Sequence, residues 1–83
     1  MKYRAKVEVA LKPGHSDPEG ETVTRLLREL GYEVDSANVS KVYTIQLEAQ
    51  NPRAARAKAE EMSKRLLANP TKDNYIISIE EQR

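Results

Sequence analysis

The ten residues LKPGHSDPEG, at positions 11–20, concentrate the residue types that could perform chemistry. They include two of the three glycines, two of the four prolines and the only histidine of the chain. Histidine is a general acid or base near neutral pH, and a glycine loop before a helix can bind phosphate. Gly14 and Gly20, however, fit neither the dinucleotide-binding G-x-G-x-x-G pattern nor a P-loop.

The acidic residues of this segment favour a structural role over phosphate binding. Asp17, Glu19 and Glu21 would occupy the first turn of a following helix, where they interact with the helix dipole and repel an anion. We predict that Asp17 caps this helix and that Pro18 takes its first position.

No other residues form a catalytic or metal-binding pattern. His15 has no second histidine or cysteine with which to bind zinc, and no nucleophile motif accompanies it. The chain has no cysteine, which excludes disulfides and thiolate chemistry. The sequence therefore predicts no catalytic, cofactor or metal site.

Length and charge restrict the function classes further. A chain of 83 residues fits a single domain, 1–83, with a small core. Fourteen basic and thirteen acidic residues give a net charge of +1, which lacks the basic excess of nucleic-acid-binding proteins. No apolar run reaches the roughly 20 residues of a membrane span, and the N-terminus does not resemble a signal peptide. We expect a cytoplasmic protein without membrane or nucleic-acid contacts.

The elements that position these residues follow from hydrophobic periodicity. Tyr3–Leu11 alternates as a half-buried strand. A helix follows from Pro18, with Gly31 just after its end. Its apolar residues recur at helical spacing: Val23, Leu26, Leu27 and Leu30.

The segment Val34–Ala49 has the composition of two strands joined by a turn. A three-residue loop, Ser40–Val42, would pair Val39 with Tyr43 and keep one apolar face, and we favour it over a two-residue loop.

A second helix and a last strand complete the chain. Asn51-Pro52 begins the helix, and Asn69-Pro70 ends it after about Leu67. Four of its residues are predicted to point inward: Ala55, Ala59, Met62 and Leu66. The final strand is Tyr75–Glu80.

The order βαββαβ predicts an α+β, ferredoxin-like split βαβ fold. It would have a four-stranded antiparallel sheet with both helices on one face, and with the first and third strands central. Tyr3 and Tyr43 would then face the helices, so the open face lacks the aromatic platform of an RNA-binding sheet. Ile76 would be an apolar residue on an edge strand, and we predict a subunit interface there or on the open face beside it.

Several motifs in order along the whole chain resemble the PurS family, the small subunit of phosphoribosylformylglycinamidine (FGAM) synthase. They are Lys12-Pro13-Gly14, Asp17-Pro18-x-Gly20, Gly31-Tyr32, Val39 with Lys41, and Leu66-Leu67-Ala68-Asn69-Pro70 followed by Tyr75. Ser40 departs from this pattern, because glycine is usual there.

The resemblance implies a non-catalytic subunit of a glutamine-dependent ligase of purine biosynthesis. Such a subunit forms a homodimer or larger oligomer and bridges a PurL-type synthetase, which uses ATP and magnesium, and a PurQ-type glutaminase, supporting ammonia transfer between them. Six residues are candidates for the partner interface: Lys12, Pro13, Gly14, Lys41, Tyr75 and Ile76. The alternative is an ACT-like regulatory domain that binds a small molecule, since Pro13-Gly14 follows the first strand in such domains too.

Overall fold

The structure of the chain is a computed structural model that describes residues 1–82. Its strands and helices are β1 Lys2–Leu11, α1 Pro18–Glu29, β2 Lys41–Glu48, α2 Pro52–Met62 and β3 Asp73–Gln82, with a π-helical turn Ser63–Leu67 continuing α2. The strands form one antiparallel sheet in the order β2-β1-β3. The predicted α+β class is therefore confirmed.

Strand β1 lies at the centre of the sheet because both neighbours pair with it along most of its length. Val7, for example, lies opposite Tyr43 of β2 and Ile77 of β3. The alternation predicted for β1 is confirmed, since Tyr3 and Val7 are almost completely buried. We call the face that carries these side chains the inner face and the opposite one the outer face.

Helix α2 covers the inner face over β1 and β3. Its contact surface consists of small residues spaced by four, Ala55, Ala59 and Ser63, all fully buried. The prediction that Leu66 points inward is wrong, because it is 82% exposed. The small residues already supply the contact surface of α2, and the π-helical turn carries Leu67 to the partly buried side. Met62, which was also predicted to point inward, is half-buried.

The predicted four-stranded sheet is wrong, because Val34–Val39 forms no strand in the described residues. This segment runs beside α1, where its backbone groups find other partners. The Ala37 amide donates to Thr24 Oγ1 at 2.8 Å, and the Val34 carbonyl accepts from Arg28 Nε at 3.1 Å. A strand needs those groups for pairing with a neighbouring strand.

The predicted three-residue loop Ser40–Val42 is also wrong. Lys41 and Val42 are already part of β2, where they lie opposite Val9 and Glu8. Without the predicted second strand, β2 is an edge strand rather than a central one. Strand β3 occupies the other edge, as expected for the last strand.

Helix α1 and the segment that returns beside it form a unit that we call the arm, residues 17–39. The predicted ends of α1 are confirmed: Asp17 caps it, Pro18 is its first residue and Gly31 adopts a positive φ of 98° after it. The prediction that both helices cover one face is not met within the chain. Gly20 is the only buried residue of α1, whose apolar side chains lie away from the sheet.

Candidate partner-contact site

The loop after β1 is held to the turn after α2 by Lys12. The Lys12 backbone amide donates to the Lys72 carbonyl at 2.7 Å, and Lys12 Nζ donates to the Pro70 carbonyl at 2.9 Å. The second turn is itself closed by Asn69, whose side-chain oxygen accepts from the Thr71 amide at 2.8 Å. The Lys-Pro-Gly and Asn-Pro motifs, far apart in sequence, therefore form one structural unit.

Pro13 and Gly14 form the exposed tip of this loop. Gly14 has a φ of 90°, a conformation that side-chain-bearing residues rarely adopt. The His15 amide donates to the Lys12 carbonyl at 3.3 Å and closes the turn. An open groove of 530 Å³ separates this loop from residues 38–40.

The predicted interface residues all lie at the same end of the molecule, where β1 ends, β2 begins and β3 begins. They are Lys12, Pro13, Gly14, Lys41, Tyr75 and Ile76. They do not share one face. Tyr75 lies opposite the inward-facing Val9, whereas Ile76 lies opposite Glu8 on the outer face.

The outer face carries an apolar pair at this end. Val42 and Ile76 lie on either side of Glu8, on the two neighbouring strands, and they are 58% and 69% exposed. Glu8 accepts a hydrogen bond from the Ser40 hydroxyl at 2.8 Å, which holds the start of β2 against β1. The sequence did not predict that Val42 lies beside Glu8 on the outer face, because Val42 was assigned to a loop.

Asp17 holds both ends of the arm. One carboxylate oxygen accepts from the Gly20 amide at 3.0 Å and the other from the Val39 amide at 3.0 Å. The hydrogen bond from Val39, and then the one from Gly20, lower the pKa of Asp17, and partial burial opposes them. The first turn of α1 is therefore occupied by a carboxylate of the chain itself, as predicted.

Gly20 is needed because the returning segment passes very close to α1. A Cβ atom on Gly20 would lie 2.5 Å from the Ala37 carbonyl oxygen and would also meet the Asp17 side chain. One turn further along the helix, Thr24 Oγ1 donates to the Gly20 carbonyl at 2.8 Å while it accepts from the Ala37 amide. The Asp-Pro-x-Gly motif thus specifies the packing of the arm.

Tyr75 contributes to the contact between β3 and α2. Its hydroxyl donates to Glu60 Oε2 at 2.8 Å. This hydrogen bond to a carboxylate, together with partial burial and the charge of Glu60, raises the pKa of the Tyr75 phenol. A partner could contact the exposed part of Tyr75, but its hydroxyl is already used within the chain.

His15 is exposed on the loop, and its side chain makes no hydrogen bond to the described residues. No group of three or more His, Cys, Asp or Glu side chains lies close enough to hold a metal ion within residues 1–82. Over the same residues, neither helix is long and apolar enough to cross a membrane.

Comparisons with known proteins identify the relatives of this chain. Residues 4–81 match the PurS family profile, described as phosphoribosylformylglycinamidine (FGAM) synthase. The PurS subunit of Methanothermobacter thermautotrophicus is 37% identical over 81 residues, which cover 98% of this chain and 96% of that one. The PurS subunit of Methanocaldococcus jannaschii is 39% identical over 79 residues, 94% and 95% of the two chains.

Solved structures extend the likeness to the whole fold. Thermus thermophilus PurS superposes with a TM-score of 0.92 at 36% identity, over 100% of both chains. A chain in the structure of PurLQS from Thermotoga maritima superposes with a TM-score of 0.89 at 27% identity, over 96% of this chain and 99% of that one.

The sequence match and the fold define an accessory subunit of a ligase. The chain belongs to the PurS family. As a PurS protein it is a subunit of FGAM synthase, and it acts in purine biosynthesis.

Proposed function

We propose that this chain is a non-catalytic subunit that joins a PurL-type synthetase to a PurQ-type glutaminase and supports ammonia transfer between them. The observation that carries the proposal is the likeness, at 27% identity and over nearly all of both chains, to a chain of the PurLQS structure. The exposed, uncharged Pro-Gly tip of the loop and the nearby apolar pair suit a protein partner better than a small ligand.

Catalysis and cofactor binding belong to the other subunits under this proposal. ATP and magnesium would bind to the synthetase, and glutamine would be hydrolysed by the glutaminase. This chain, as one domain over residues 1–83, would contribute a protein surface in the cytoplasm. The family match over residues 4–81 supports this interpretation.

The proposed contact surface is the end of the molecule that carries the six predicted interface residues. Lys41 and Ile76 are its best probes because both side chains are exposed. Lys12 and Tyr75 are poorer probes, since hydrogen bonds to Pro70 and Glu60 give each a structural role. Substituting either would change the fold and the surface together.

Reconstitution tests the function directly. The synthetase and glutaminase of the same organism are assayed for FGAM formation with and without this chain, with either glutamine or ammonium as the nitrogen source. Because the chain is proposed to couple the two enzymes, the glutamine-dependent rate should fall without it, and the ammonium-dependent rate should remain. Equal glutamine-dependent rates with and without the chain would contradict the proposal.

Charge changes test the surface. Lys41→Glu and Ile76→Lys should weaken formation of the three-subunit assembly, measured as its mass by light scattering, and the glutamine-dependent rate should fall with it. Lys2→Glu is the matched control because Lys2 is an exposed lysine at the opposite end of the sheet, where it lies between Glu48 and Gln82. If Ile76→Lys left self-association and the assembly with both partners unchanged, the predicted interface at Ile76 would be wrong.

The ACT-like alternative makes a different prediction, because it requires binding of a small molecule. Helix α1 begins at Pro18, four residues beyond Gly14, whereas the helix of such domains usually starts right after the Pro-Gly pair. Isothermal titration of the isolated chain with amino acids separates the two functions. We expect no heat of binding, and saturable heat would favour the regulatory domain.

A further inference from the structure

Strand β3 has a free edge along its whole length. Among the described residues it lies at the margin of the sheet, with β1 as its neighbour. Ten consecutive residue pairs join the two strands, so no bulge interrupts the edge. Residues 74–79 in the middle of β3 include no charged residue and no proline. Natural sheets usually protect a free edge with such residues or with a bulge, and this edge has neither.

The backbone groups at the free edge can be assigned from the ladder. In an antiparallel pair, every second residue turns both its N–H and its C=O toward the neighbouring strand. The Lys12 amide donates to the Lys72 carbonyl just beyond the last pair of the ladder, so the even-numbered residues of β3 face β1. The N–H and C=O groups of Tyr75, Ile77 and Ile79 therefore point away from β1. The hydrogen bonds found within residues 1–82 use none of these six groups.

A row of basic side chains on α2 borders this edge. Glu60 of α2 reaches β3, since it accepts the hydrogen bond of the Tyr75 hydroxyl. Arg53, Arg56 and Lys64 lie seven, four and four residues from it, which places them on the same flank of the helix. We call these three residues the basic row. All three are exposed, and the ion pairs found within residues 1–82 do not include them.

The other basic residues of α2 and its π-helical turn are already bonded. Lys58 points toward β2, where it donates to the Glu48 carbonyl at 3.0 Å. Arg65 is paired with Glu61 at 3.0 Å. Residues 51–67 contain five basic and two acidic residues, so the excess of positive charge is concentrated on the flank beside β3.

We propose that the free edge of β3 binds an extended, acidic segment of a partner subunit, which joins the sheet as a fourth strand. Its backbone would pair with Tyr75, Ile77 and Ile79, as in other cases of strand addition. Its carboxylates would lie against the basic row, and this charge complementarity would fix its position along the edge. A second copy is a poorer occupant, because pairing two β3 edges about a two-fold axis would bring two basic rows together.

This inference rests on the proposed role as a joining subunit and adds a second contact to it. The contact uses the backbone of an edge and the charges of α2, rather than the loop and side chains of the six predicted interface residues. The two can fail separately. Normal coupling in the reconstitution assay with an unoccupied edge would refute the strand addition alone. Equal glutamine-dependent rates with and without the chain would refute the joining role.

Hydrogen exchange in the assembled complex tests the pairing directly. The chain is exchanged alone and together with the synthetase and the glutaminase of the same organism, then quenched, dissociated and read residue by residue by NMR. The amides of Tyr75, Ile77 and Ile79 should exchange at least about tenfold more slowly in the complex than in the isolated chain. The amides of Ile76 and Ser78 face β1 and should be slow in both, which makes them the internal control.

Two results of this experiment would overturn the proposal. If the three edge amides exchanged equally fast in the complex and in the isolated chain, no strand would be added at this edge. If the isolated chain already protected them, to an extent that grows with its own concentration, the occupant would be a second copy rather than a partner subunit.

A proline at the edge tests the backbone contact. Ile79→Pro removes an N–H that points away from β1, so the sheet itself loses no hydrogen bond. Ile79→Ala is the matched control, because it also loses the isoleucine packing but keeps the N–H. Light scattering over a range of concentrations gives the Kd of the complex, which the proline should raise at least about tenfold more than the alanine does. Equal values for the two variants would contradict the pairing.

A charge reversal tests the basic row without touching the sheet. Arg56→Glu should raise the Kd of the complex about tenfold at low salt, because like charges would then face each other, and by less as the salt concentration rises. Lys2→Glu changes the net charge equally at an exposed position on the outer face and should leave the Kd unchanged. If both variants weakened the complex to the same extent, the total charge rather than the basic row would govern binding, and the proposal would fail.

Discussion

Replacing Gly20 by alanine should loosen the arm, although alanine is the better helix former. The new Cβ would lie 2.5 Å from the Ala37 carbonyl oxygen, roughly 1 Å closer than ordinary van der Waals contact. Such overpacking costs about 1–3 kcal/mol, and the helical preference for alanine returns at most about 1 kcal/mol. We therefore expect a net loss of about 1–2 kcal/mol in the free energy of unfolding.

Thermal unfolding at one fixed protein concentration measures this loss. For a domain of this size, 1 kcal/mol corresponds to a fall of about 4–8 °C in the melting temperature. Hydrogen exchange locates it, because the Ala37 and Val39 amides bind to Thr24 and to Asp17 and should exchange faster in the variant. Thr22→Ala, at an exposed position of the same helix, should change stability by less than about 0.5 kcal/mol.

If Gly20→Ala were as stable as the wild type, and the Ala37 amide kept its protection, the close approach of the returning segment to α1 would not constrain residue 20. The Asp-Pro-x-Gly motif would then need another explanation.

Three further predictions follow from single side chains. Because hydrogen bonds lower the pKa of Asp17 in the folded state, its stabilising effect is present above its ordinary pKa of about 3.9 and is lost as the pH falls through the lower folded value. In melting curves recorded from pH 7 to pH 2, the melting temperature should fall less for Asp17→Asn than for the wild type. Equal falls would contradict the stabilising role of the Asp17 carboxylate. In an ultraviolet titration the raised pKa of Tyr75 should move back toward its usual value of about 10 in Glu60→Gln, and an unchanged titration would show that the hydrogen bond does not cause the shift. Ser63 is fully buried at the end of α2, where its hydroxyl donates to the Ala59 carbonyl. Ser63→Leu should therefore lower the free energy of unfolding, measured in urea, by about 1–3 kcal/mol, and Ser63→Ala should lower it by less than about 1 kcal/mol. If Ser63→Leu were no less stable than Ser63→Ala, the site would have room for a larger side chain and the close packing would be wrong.

The inward face of β1 and the extent of β3 could be predicted from the sequence because these strands have one buried face, whereas the number of strands and the start of β2 were predicted wrongly. The alternation over β1 identified the inward side chains, and β3 extends only two residues beyond the predicted strand at each end. A shift by one residue would exchange buried and exposed side chains, so the pattern fixes the register strongly. The helix ends were equally predictable, since Asp17 and Asn51 cap them through local hydrogen bonds.

The segment Val34–Val39 could not be predicted in the same way. It has strand composition, but its partners are the side chains of the α1 cap Asp17 and of Thr24 and Arg28 within α1, which lie 6 to 22 residues earlier in the chain. Local propensity does not report such contacts, and tertiary context overrides it. Of the candidate site, Ile76 was predicted from its place as an apolar residue on an edge strand, and the other residues were predicted only with the family resemblance, because none of them has distinctive chemistry.

The sequence by itself determined which faces of the strands are buried, where both helices begin, and that the chain belongs with the PurS subunits. These properties depend on periodicity, caps and motifs, which are local or shared along the whole family. Only the tertiary structure decided that α1 stands away from its own sheet and that the Lys-Pro-Gly loop is bound to the Asn-Pro turn. Both depend on contacts between residues distant in sequence, and an apolar helix face alone does not specify which sheet, or whose, it will cover.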